Sequence, residues 1–289
     1  MTEIAILSGK GGTGKTSLSA AFATIGENMV VADCDVDAAN LHLILHPENY
    51  VEERFITGYK AVIHDNFCTL CGICINYCRF DAITKGDGKV IISNISCDGC
   101  KLCERICPSH AISMIPSDKS RWLIGDYRNG KMIHARLEPG EENSGKLVNV
   151  VREQARRIAK ETNCKTIIID GPPGTGCPAI SSVTGTDKVI IVTEPSKSGF
   201  HDMKRILELV AGFKVKPYVV INKYDLNREL THRIESWCEE QQIPVIGKIL
   251  FFAPVVEAML ESKSITEWLP DSEVSREIHS IYHFIMTHE

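Results

Sequence analysis

Short apolar runs alternate along this chain with longer segments in which apolar residues recur at helical spacing. The apolar runs that we predict as strands are residues 4–7, 29–32, 166–169, 188–193, 217–221 and 245–250. Continuous apolar runs of this length are typical of strands that are buried on both faces, as in a parallel sheet. Between two of them, Leu147, Val151, Ala155 and Ile158 follow a helical period. The alternation predicts an α/β fold with a doubly wound, mostly parallel sheet.

Two further segments carry weaker patterns. Residues 123–127 and 131–135 alternate between apolar and polar side chains and flank Asn129 and Gly130, which predicts a hairpin. Near the end of the chain, Val274, Ile278 and Ile281 recur at helical spacing. The polar face of that helix is not rich in Lys or Arg, so we expect it to pack on the sheet rather than to bind a membrane.

Length and composition are those of a globular protein with one large and one smaller domain. The chain has 289 residues, of which 44% are hydrophobic and 24% are charged. Its net charge of −5 gives no electrostatic reason to expect nucleic acid as a partner. No apolar run approaches the ~20 residues that a membrane span needs, and a strand is predicted at the start of the chain. We therefore expect a cytoplasmic protein without a stable membrane anchor.

The cysteine content rises abruptly after residue 60. Eight of the 12 cysteines fall within residues 68–107. In a reducing compartment this density points to metal or redox chemistry rather than to disulfides. The change in composition predicts an inserted domain at residues 61–117 and a main domain made of residues 1–60 and 118–289.

A glycine-rich turn follows the first predicted strand. The pattern G-x-x-x-x-G-K-T runs from Gly9 to Thr16, and a helical run follows it. Strand, glycine-rich turn and helix together predict a phosphate-binding loop, in which Lys15 reaches the β- and γ-phosphates and the Thr16 hydroxyl binds Mg²⁺. The residues expected to contact the nucleotide here are Gly9, Lys10, Gly11, Gly12, Thr13, Gly14, Lys15, Thr16 and Ser17.

Polar side chains also follow three other predicted strands. Asp33 and Asp35 come after the second strand, Asp170 closes the strand at residues 166–169, and Asn222 follows the strand at residues 217–221. Because the carboxyl ends of parallel strands meet at one edge of a sheet, we expect these side chains beside the phosphate site. A carboxylate that closes an apolar strand, as Asp170 does, commonly holds Mg²⁺ through water.

The run from Lys10 to Thr16 resembles the deviant Walker A motif of the ATPase family that contains MinD, ParA, ArsA and the nitrogenase iron protein. This resemblance implies that Lys10 reaches across an ATP-closed homodimer to the partner's phosphates; an ordinary solvated loop lysine is the alternative. It further implies that Asp35 orients the attacking water, that Asp33 acts on Mg²⁺ through bound water, and that Asn222 contacts adenine. The expected catalytic residues are Lys10, Lys15 and Asp35.

The cysteines form an internal duplication. Residues 68–78 spell C-x₂-C-x₂-C-x₃-C, and residues 97–107 repeat the same spacing. The repeat extends beyond the cysteines, because an Ala-Ile pair follows each run at the same offset. Zinc is the alternative metal for paired cysteines, but two runs of three closely spaced cysteines, each with a fourth, favour iron–sulfur clusters.

This duplication resembles the two-cluster bacterial ferredoxin, in which the fourth cysteine of each run ligates the other cluster. The resemblance implies two [4Fe–4S] clusters. The ligands implied for cluster 1 are Cys68, Cys71, Cys74 and Cys107. Those implied for cluster 2 are Cys97, Cys100, Cys103 and Cys78. Arg79 departs from the pattern, since it stands where a proline would follow Cys78.

Taken as a whole, the chain resembles the MinD-superfamily ATPases that contain an inserted ferredoxin domain. The resemblance implies Mg²⁺-dependent ATP hydrolysis that drives closure of a homodimer. We expect closure to be coupled to electron transfer, with a separate electron donor or acceptor, or to maturation of a partner metalloprotein. The alternatives are an iron–sulfur scaffold or carrier, in which the clusters are cargo, and a MinD/ParA-like positioning ATPase.

Overall fold

The computed structural model describes residues 1–56, 58–138, 141 and 144–288. It divides the chain into two compact units. Unit 1 consists of Met1–Glu52, Trp122–Ala135 and Ser144–Glu289, and unit 2 of Glu53–Arg121 and Arg136–Asn143. Unit 2 contains all eight cysteines of the duplicated motif. Assignment of a ferredoxin domain to residues 61–117 stays a prediction.

A nine-stranded sheet forms the centre of unit 1, in the order β13-β12-β11-β1-β10-β2-β9-β8-β3. Neighbouring strands from β13 to β9 in this order all pair in parallel. The strands are β1 Thr2–Ser8, β2 Met29–Asp33, β3 Glu48–Phe55, β8 Ser120–Tyr127, β9 Gly130–Arg136, β10 Thr166–Pro173, β11 Lys188–Thr193, β12 Lys216–Asn222 and β13 Val245–Ile249. The mostly parallel α/β fold is therefore confirmed.

Helices connect these strands and cover the sheet. They are α1 Lys15–Ile25, α2 Leu41–Leu45, α5 Ser144–Glu161, α6 Cys177–Val183, α7 Lys197–Ala211, α8 Arg228–Glu240, α9 Pro254–Leu260, α10 Ile265–Trp268 and α11 Glu273–Thr287. One core packs Phe22 of α1 and Ile278 and Ile281 of α11 together with Ile4, Val31 and other strand residues. The apolar face of the last helix thus lies in the core, as its spacing predicts. Within the described residues, no helix is both long enough and apolar enough to cross a membrane.

The edge of the sheet contains the predicted hairpin and one strand that the apolar pattern does not predict. The hairpin strands β8 and β9 are neighbours joined by Arg128 and Asn129, and β9 adds to the parallel sheet beside β2. Beyond them lies β3, which the apolar pattern missed. Most side chains of β3 are exposed, so this edge strand carries no apolar run by which it can be recognised.

Among its described residues, unit 2 holds two small antiparallel sheets, two one-turn α-helices and a short 3₁₀ turn at Asp65–Phe67. Its elements are β4 Gly58–Ile63, α3 Ile73–Tyr77, β5 Ile83–Gly86, β6 Lys89–Ile92, α4 Leu102–Ile106 and β7 Ile112–Ser117. β4 pairs with β7, and β5 pairs with β6. Its core is small, and two of its buried members are the cysteines Cys74 and Cys97.

The sequence duplication in unit 2 is also a duplication of backbone conformation. Each cysteine run contains one short helix, α3 or α4, between its second and fourth cysteines. Two positions in each run, and a third that lies three residues after the run, have positive φ at the same offsets from the cysteines. The equivalent pairs are Leu70 and Gly99, Gly72 and Lys101, and Asp81 and His110. Non-glycine residues rarely adopt this left-handed conformation, so its recurrence at equivalent offsets shows that both runs fold alike.

Candidate functional site

The glycine-rich loop joins β1 to the N-terminus of α1, which begins at Lys15. Gly14 has φ 97° and ψ 15°, and a Cβ placed there would lie 2.2 Å from Nδ2 of Asn222. Only glycine fits both the left-handed backbone and this close approach. The loop also packs tightly at Gly9, where a Cβ would lie 2.1 Å from Cβ of Asp202 on α7. At the start of α1, Ser17 Oγ donates to Met259 Sδ over 3.6 Å.

Asp170 connects the central sheet to the first turn of α1. Its Oδ2 accepts from Thr16 Oγ1 at 2.8 Å, and its Oδ1 accepts from Ser19 Oγ at 2.8 Å. Complete burial raises the pKa of Asp170, although nearby Lys15 acts to lower it. Thr16 and Asp170 therefore lie in direct contact, and their oxygen atoms are the ligand type that Mg²⁺ prefers. Sequence reasoning missed Ser19, which the motif leaves unspecified.

Asp33 and Asp35 are two residues apart but make different contacts. Asp33 is fully buried, and its carboxylate accepts from the backbone N–H of Asp35 at 3.2 Å and of Leu41 at 3.3 Å. Burial, together with the neighbouring charges of Asp170 and Asp35, raises its pKa well above the usual range. This geometry anchors the loop after β2. The expected action of Asp33 on Mg²⁺ stays a prediction.

Asp35 instead faces the lysine of the phosphate-binding loop. Its Oδ2 lies 3.9 Å from Nζ of Lys15, whose side chain is 5% exposed. Burial raises the pKa of Asp35 to about 6, while the charge of Lys15 acts to lower it. The carboxylate thus lies beside the group expected to bind the β- and γ-phosphates. Its role in orienting water stays a prediction.

Lys10 contacts its own chain through Glu194, which follows β11. Its Nζ lies 2.6 Å from Glu194 Oε1, and it donates to Ser198 Oγ at 3.1 Å. Lys223 Nζ approaches the other oxygen of Glu194 at 3.4 Å. Burial acts to raise the pKa of Glu194, but hydrogen bonding to Lys10 and the charge of Lys223 lower it overall. Glu194 was missed in the sequence, although its position after a parallel strand places it at the same edge as Asp170 and Asn222.

Asn222 and Lys223, at the end of β12, are tied to the loop carbonyls. Asn222 Nδ2 donates to Thr13 O at 2.8 Å, and Lys223 Nζ donates to Gly12 O at 2.9 Å. Both side chains line a cavity of about 380 Å³ that begins at the glycine-rich loop. The cavity also has apolar walls, which come from Leu250, Phe251, Phe252, Val255 and Met259. These wall residues were not predicted, because an apolar cavity wall looks like core in a sequence.

Two smaller cavities lie in unit 2, and each is lined by one of the cysteine sets described above. The first is lined by Cys68, Cys71, Cys74 and Cys107. The second is lined by Cys97, Cys100, Cys103 and Cys78, and also by Cys74. The fourth cysteine of each run therefore lies at the cavity of the other run.

The charges that shift the pKa of a thiol in one set come from other cysteines of the same set. Burial raises the pKa of Cys74, and the nearby charges of Cys71, Cys107 and Cys68 add to the rise. Burial raises the pKa of Cys103 to about 11, with Cys97 and Cys100 adding to it. Hydrogen bonds from Ser109 and from the Ala111 N–H outweigh slight burial and lower the pKa of Cys107. Such bonds stabilise a thiolate, which is the form that binds metal.

The donor set consists of soft thiols placed around two cavities, which is the ligand type that iron–sulfur clusters use. Across the ranges that the structure describes, no three His, Cys, Asp or Glu side chains are arranged to hold one metal ion. A cubane cluster is wider than an ion, so its four thiolates surround a void instead of converging on a point. All eight cysteines are free thiols around two cavities, as two such clusters require. Of the other four, Cys34 is fully buried and Cys177 is exposed.

The larger unit is thus a nucleotide-binding α/β fold with a phosphate-binding loop. Residues 4–265 match the CobQ/CobB/MinD/ParA nucleotide binding domain, and the chain belongs to this family. Protein MJ0578 of Methanocaldococcus jannaschii is 39% identical over 228 residues, which are 78% of this chain and 79% of that protein. Protein MJ0579 of the same organism is 30% identical over 237 residues, 78% of this chain and 82% of that protein.

Similarity to solved structures extends over the whole chain. The septum site-determining protein MinD of Pyrococcus horikoshii, complexed with Mg-ADP, superimposes with a TM-score of 0.58 and 18% sequence identity. The match covers 99% of this chain and 96% of that one. At this level of identity the similarity shows the fold.

Proposed function

We propose that this chain is a Mg²⁺-dependent ATPase that couples nucleotide-driven closure of a homodimer to iron–sulfur chemistry in unit 2. Membership of the nucleotide-binding family supports the ATPase part. In this proposal Lys15 and the loop N–H groups bind the phosphates, and Thr16 with Asp170 holds Mg²⁺. Asp33 assists through water bound to the ion, Asp35 orients the attacking water, and Asn222 contacts the adenine. The expected partners are a second copy and a metalloprotein or electron donor.

The observation that carries the second part of the proposal is the sorting of eight cysteines into two cavities. The cavity beside Cys68 is lined by cysteines of both runs, and so is the cavity beside Cys97. This crossed arrangement is the one expected of two-cluster ferredoxins. When bound, such clusters accept and release single electrons. The reduced clusters would then pass electrons to a partner metalloprotein or take part in its maturation.

Metal analysis tests the cluster assignment directly. Anaerobically purified protein should contain about eight irons per chain with matching sulfide, as two [4Fe–4S] clusters require. Cys71→Ser should lose the electron paramagnetic resonance signal of one cluster and keep the other. Cys177→Ser is the matched control, because Cys177 is an exposed cysteine outside both cavities. Stoichiometric zinc with little iron would refute the assignment.

A second candidate function is cluster carriage, in which the clusters are cargo. It is favoured by the exposure of Cys71 and Cys100, one thiol of each set. Exposed thiols are open to exchange with the ligands of an acceptor protein. Clusters that leave for an apo-acceptor when ATP is added would support carriage. Clusters that are reduced and reoxidised repeatedly without leaving would support the electron-transfer proposal.

A further inference from the structure

The two cysteine cavities of unit 2 differ at one equivalent position. Cys78 and Cys107 are the fourth cysteines of their runs, and the residue two positions after each of them lines the same cavity as that cysteine. This residue is Phe80 after Cys78 and Ser109 after Cys107. One cavity is therefore bordered by an aromatic ring and the other by a hydroxyl group. We call them the Phe80 cavity and the Ser109 cavity.

The hydroxyl of Ser109 contacts a cysteine sulfur. Ser109 Oγ lies 3.6 Å from Cys107 Sγ, and the backbone N–H of Ala111 donates to the same sulfur at 3.3 Å. A thiolate that holds a cluster has no proton to donate, so the hydroxyl is the donor in the loaded protein. Across the part of the chain that the structure describes, no hydrogen bond reaches Cys78 Sγ, the equivalent sulfur. The two halves of the duplication thus treat equivalent ligands differently.

Other side chains of the Ser109 cavity do not offer the same contact. Among the described residues, its lining contains no lysine, arginine, aspartate or glutamate. Its other hydroxyl belongs to Thr69, which is exposed and makes no hydrogen bond to a cysteine sulfur within the described ranges. The Phe80 cavity is instead lined by Asp98 and Lys101, one charge of each sign. The Ser109 hydroxyl is therefore the side-chain donor available to a cluster in its own cavity.

Reduction of a cluster adds negative charge to the sulfur atoms that hold it. One electron, supplied by the electron donor of the proposed function, adds one negative charge; no bond forms or breaks, and Ser109 keeps its proton. A hydrogen bond to a charged acceptor is stronger than one to a neutral acceptor. The hydroxyl therefore stabilises the reduced cluster more than the oxidised one, and hydrogen bonds to the sulfurs are among the factors that set cluster potentials.

We infer that Ser109 raises the reduction potential of the cluster in its own cavity, through its hydrogen bond to Cys107, and leaves the potential of the other cluster unchanged. Ser109 is thus a positioning residue, because it acts through a ligand. The inference rests on the proposed iron–sulfur function and adds to it a control of potential that is confined to one of the two clusters.

Redox titration of the full-length, anaerobically purified protein, followed by electron paramagnetic resonance, tests this control. Ser109→Ala should make reduction of one cluster about threefold to tenfold less favourable, which lowers its midpoint potential by about 30–60 mV for a one-electron couple. The other potential should stay where it is. Ser109→Thr keeps a hydroxyl and should stay close to the wild-type protein. Thr69→Val is the matched control, since it removes the other hydroxyl of the same cavity, and it should change neither potential.

Ligand variants assign the shifted potential to one cavity. Cys100→Ser removes a thiol of the Phe80 cavity, so Ser109→Ala should still lower the potential of the cluster that remains. Cys71→Ser removes a thiol of the Ser109 cavity, and Ser109→Ala should then have no effect. If a ligand variant fails to fold, the titration of Ser109→Ala with both clusters present still decides, because it must move one potential and not both.

Three results would overturn the inference while leaving the clusters in place. They are equal shifts of both potentials in Ser109→Ala, no shift beyond that of Thr69→Val, and a Ser109→Thr protein that behaves like Ser109→Ala. The last of these would show that the hydroxyl is not the cause of the shift. A wild-type protein without iron would refute the proposed iron–sulfur function itself, and this inference with it.

Discussion

At the residue scale, the contacts of Lys10 suit a side chain that must change partners. Its ion pair with Glu194 is partly exposed, with 33% of the Lys10 side chain accessible. Exposed pairs of this kind contribute about 0–1 kcal/mol. The ion pair between Lys10 and Glu194 can therefore break at little cost in free energy when phosphates, which carry more negative charge, are bound nearby. This low cost is compatible with the proposed reach of Lys10 into a partner subunit.

Replacing Lys10 tests that reach. Lys10→Ala should still bind Mg-ATP, because Lys15 and the loop N–H groups remain, but it should stay monomeric and hydrolyse ATP poorly. Sedimentation velocity with a non-hydrolysable ATP analogue, together with steady-state turnover, measures both effects. Lys214→Ala removes an exposed lysine elsewhere and serves as the control. A Lys10→Ala protein that dimerises and turns over normally would assign Lys10 to an ordinary solvated loop.

Asp35 permits a second residue-scale test. Asp35→Asn should bind Mg-ATP and dimerise, yet lose on the order of 10²-fold in hydrolysis rate, as is typical for a side chain that handles a proton in the transition state. Single-turnover hydrolysis separates this loss from product release. Asp37→Asn is the control, since Asp37 is exposed nearby in the same loop. Unchanged turnover in Asp35→Asn, with a loss in Asp37→Asn, would move the role to Asp37.

Functional residues can be predicted from a sequence when they belong to a local pattern of residue types. Lys15, Thr16 and the eight cysteines stand in fixed spacings, and Asp170 closes an apolar strand. Glu194 stands in no such pattern. Its role comes from its contact with Lys10, 184 residues away in the chain. Only the folded sheet brings this pair together.

At the scale of elements, apolar periodicity predicts buried strands and misses exposed ones. β1, β2, β10 and β11 are buried along nearly their whole length, and each appears in the sequence as a continuous apolar run. β3 is mostly exposed and shows no such run. The small strands of unit 2 were not predicted either, since four-residue strands such as β5 and β6 are too short to show a period.

The two turns of unit 2 that precede α3 and α4 give an element-scale prediction. Gly99 has φ 73°, and a Cβ there would lie 2.1 Å from the backbone oxygen of Tyr59 in β4. Gly72 has φ 77°, but a Cβ there would meet nothing within 4 Å. Gly72→Ala should therefore cost about 1 kcal/mol of backbone strain alone. Gly99→Ala should cost clearly more, because a backbone atom of β4 must move.

Thermal unfolding of the anaerobic protein, followed through the visible absorption expected of its clusters, compares these two variants. Gly99→Ala should lose absorption at a lower temperature than Gly72→Ala. Equal behaviour of the two variants would show that the close approach of Gly99 to β4 does not determine the stability of this turn.

At the scale of the whole molecule, the order of segments along the chain suggests a link between the two proposed activities. Unit 2 enters the chain after the Asp33–Asp35 loop and leaves it before Asp170. Both of these segments carry groups proposed to respond to the γ-phosphate and Mg²⁺, whose loss on hydrolysis commonly releases such loops. The chain therefore leads from unit 2 to both of these segments, through β3 and α2 on one side and through α5 on the other.

If this link operates, nucleotide state and cluster reduction are thermodynamically coupled. We expect the midpoint potential of at least one cluster to differ between Mg-ADP and a non-hydrolysable ATP analogue. Coupling is reciprocal, so reduction must then change the ratio of the two nucleotide affinities by the corresponding factor. For a one-electron couple, a shift of about 59 mV corresponds to a tenfold change in that ratio. Redox titration measures the free energy of this coupling, and nucleotide binding to oxidised and to reduced protein measures the same free energy independently.

Lys10→Ala separates coupling within one chain from coupling through the dimer, because it should bind nucleotide without closing. Identical potentials in every nucleotide state, with equal affinities in both redox states, would refute the coupling and favour cluster carriage.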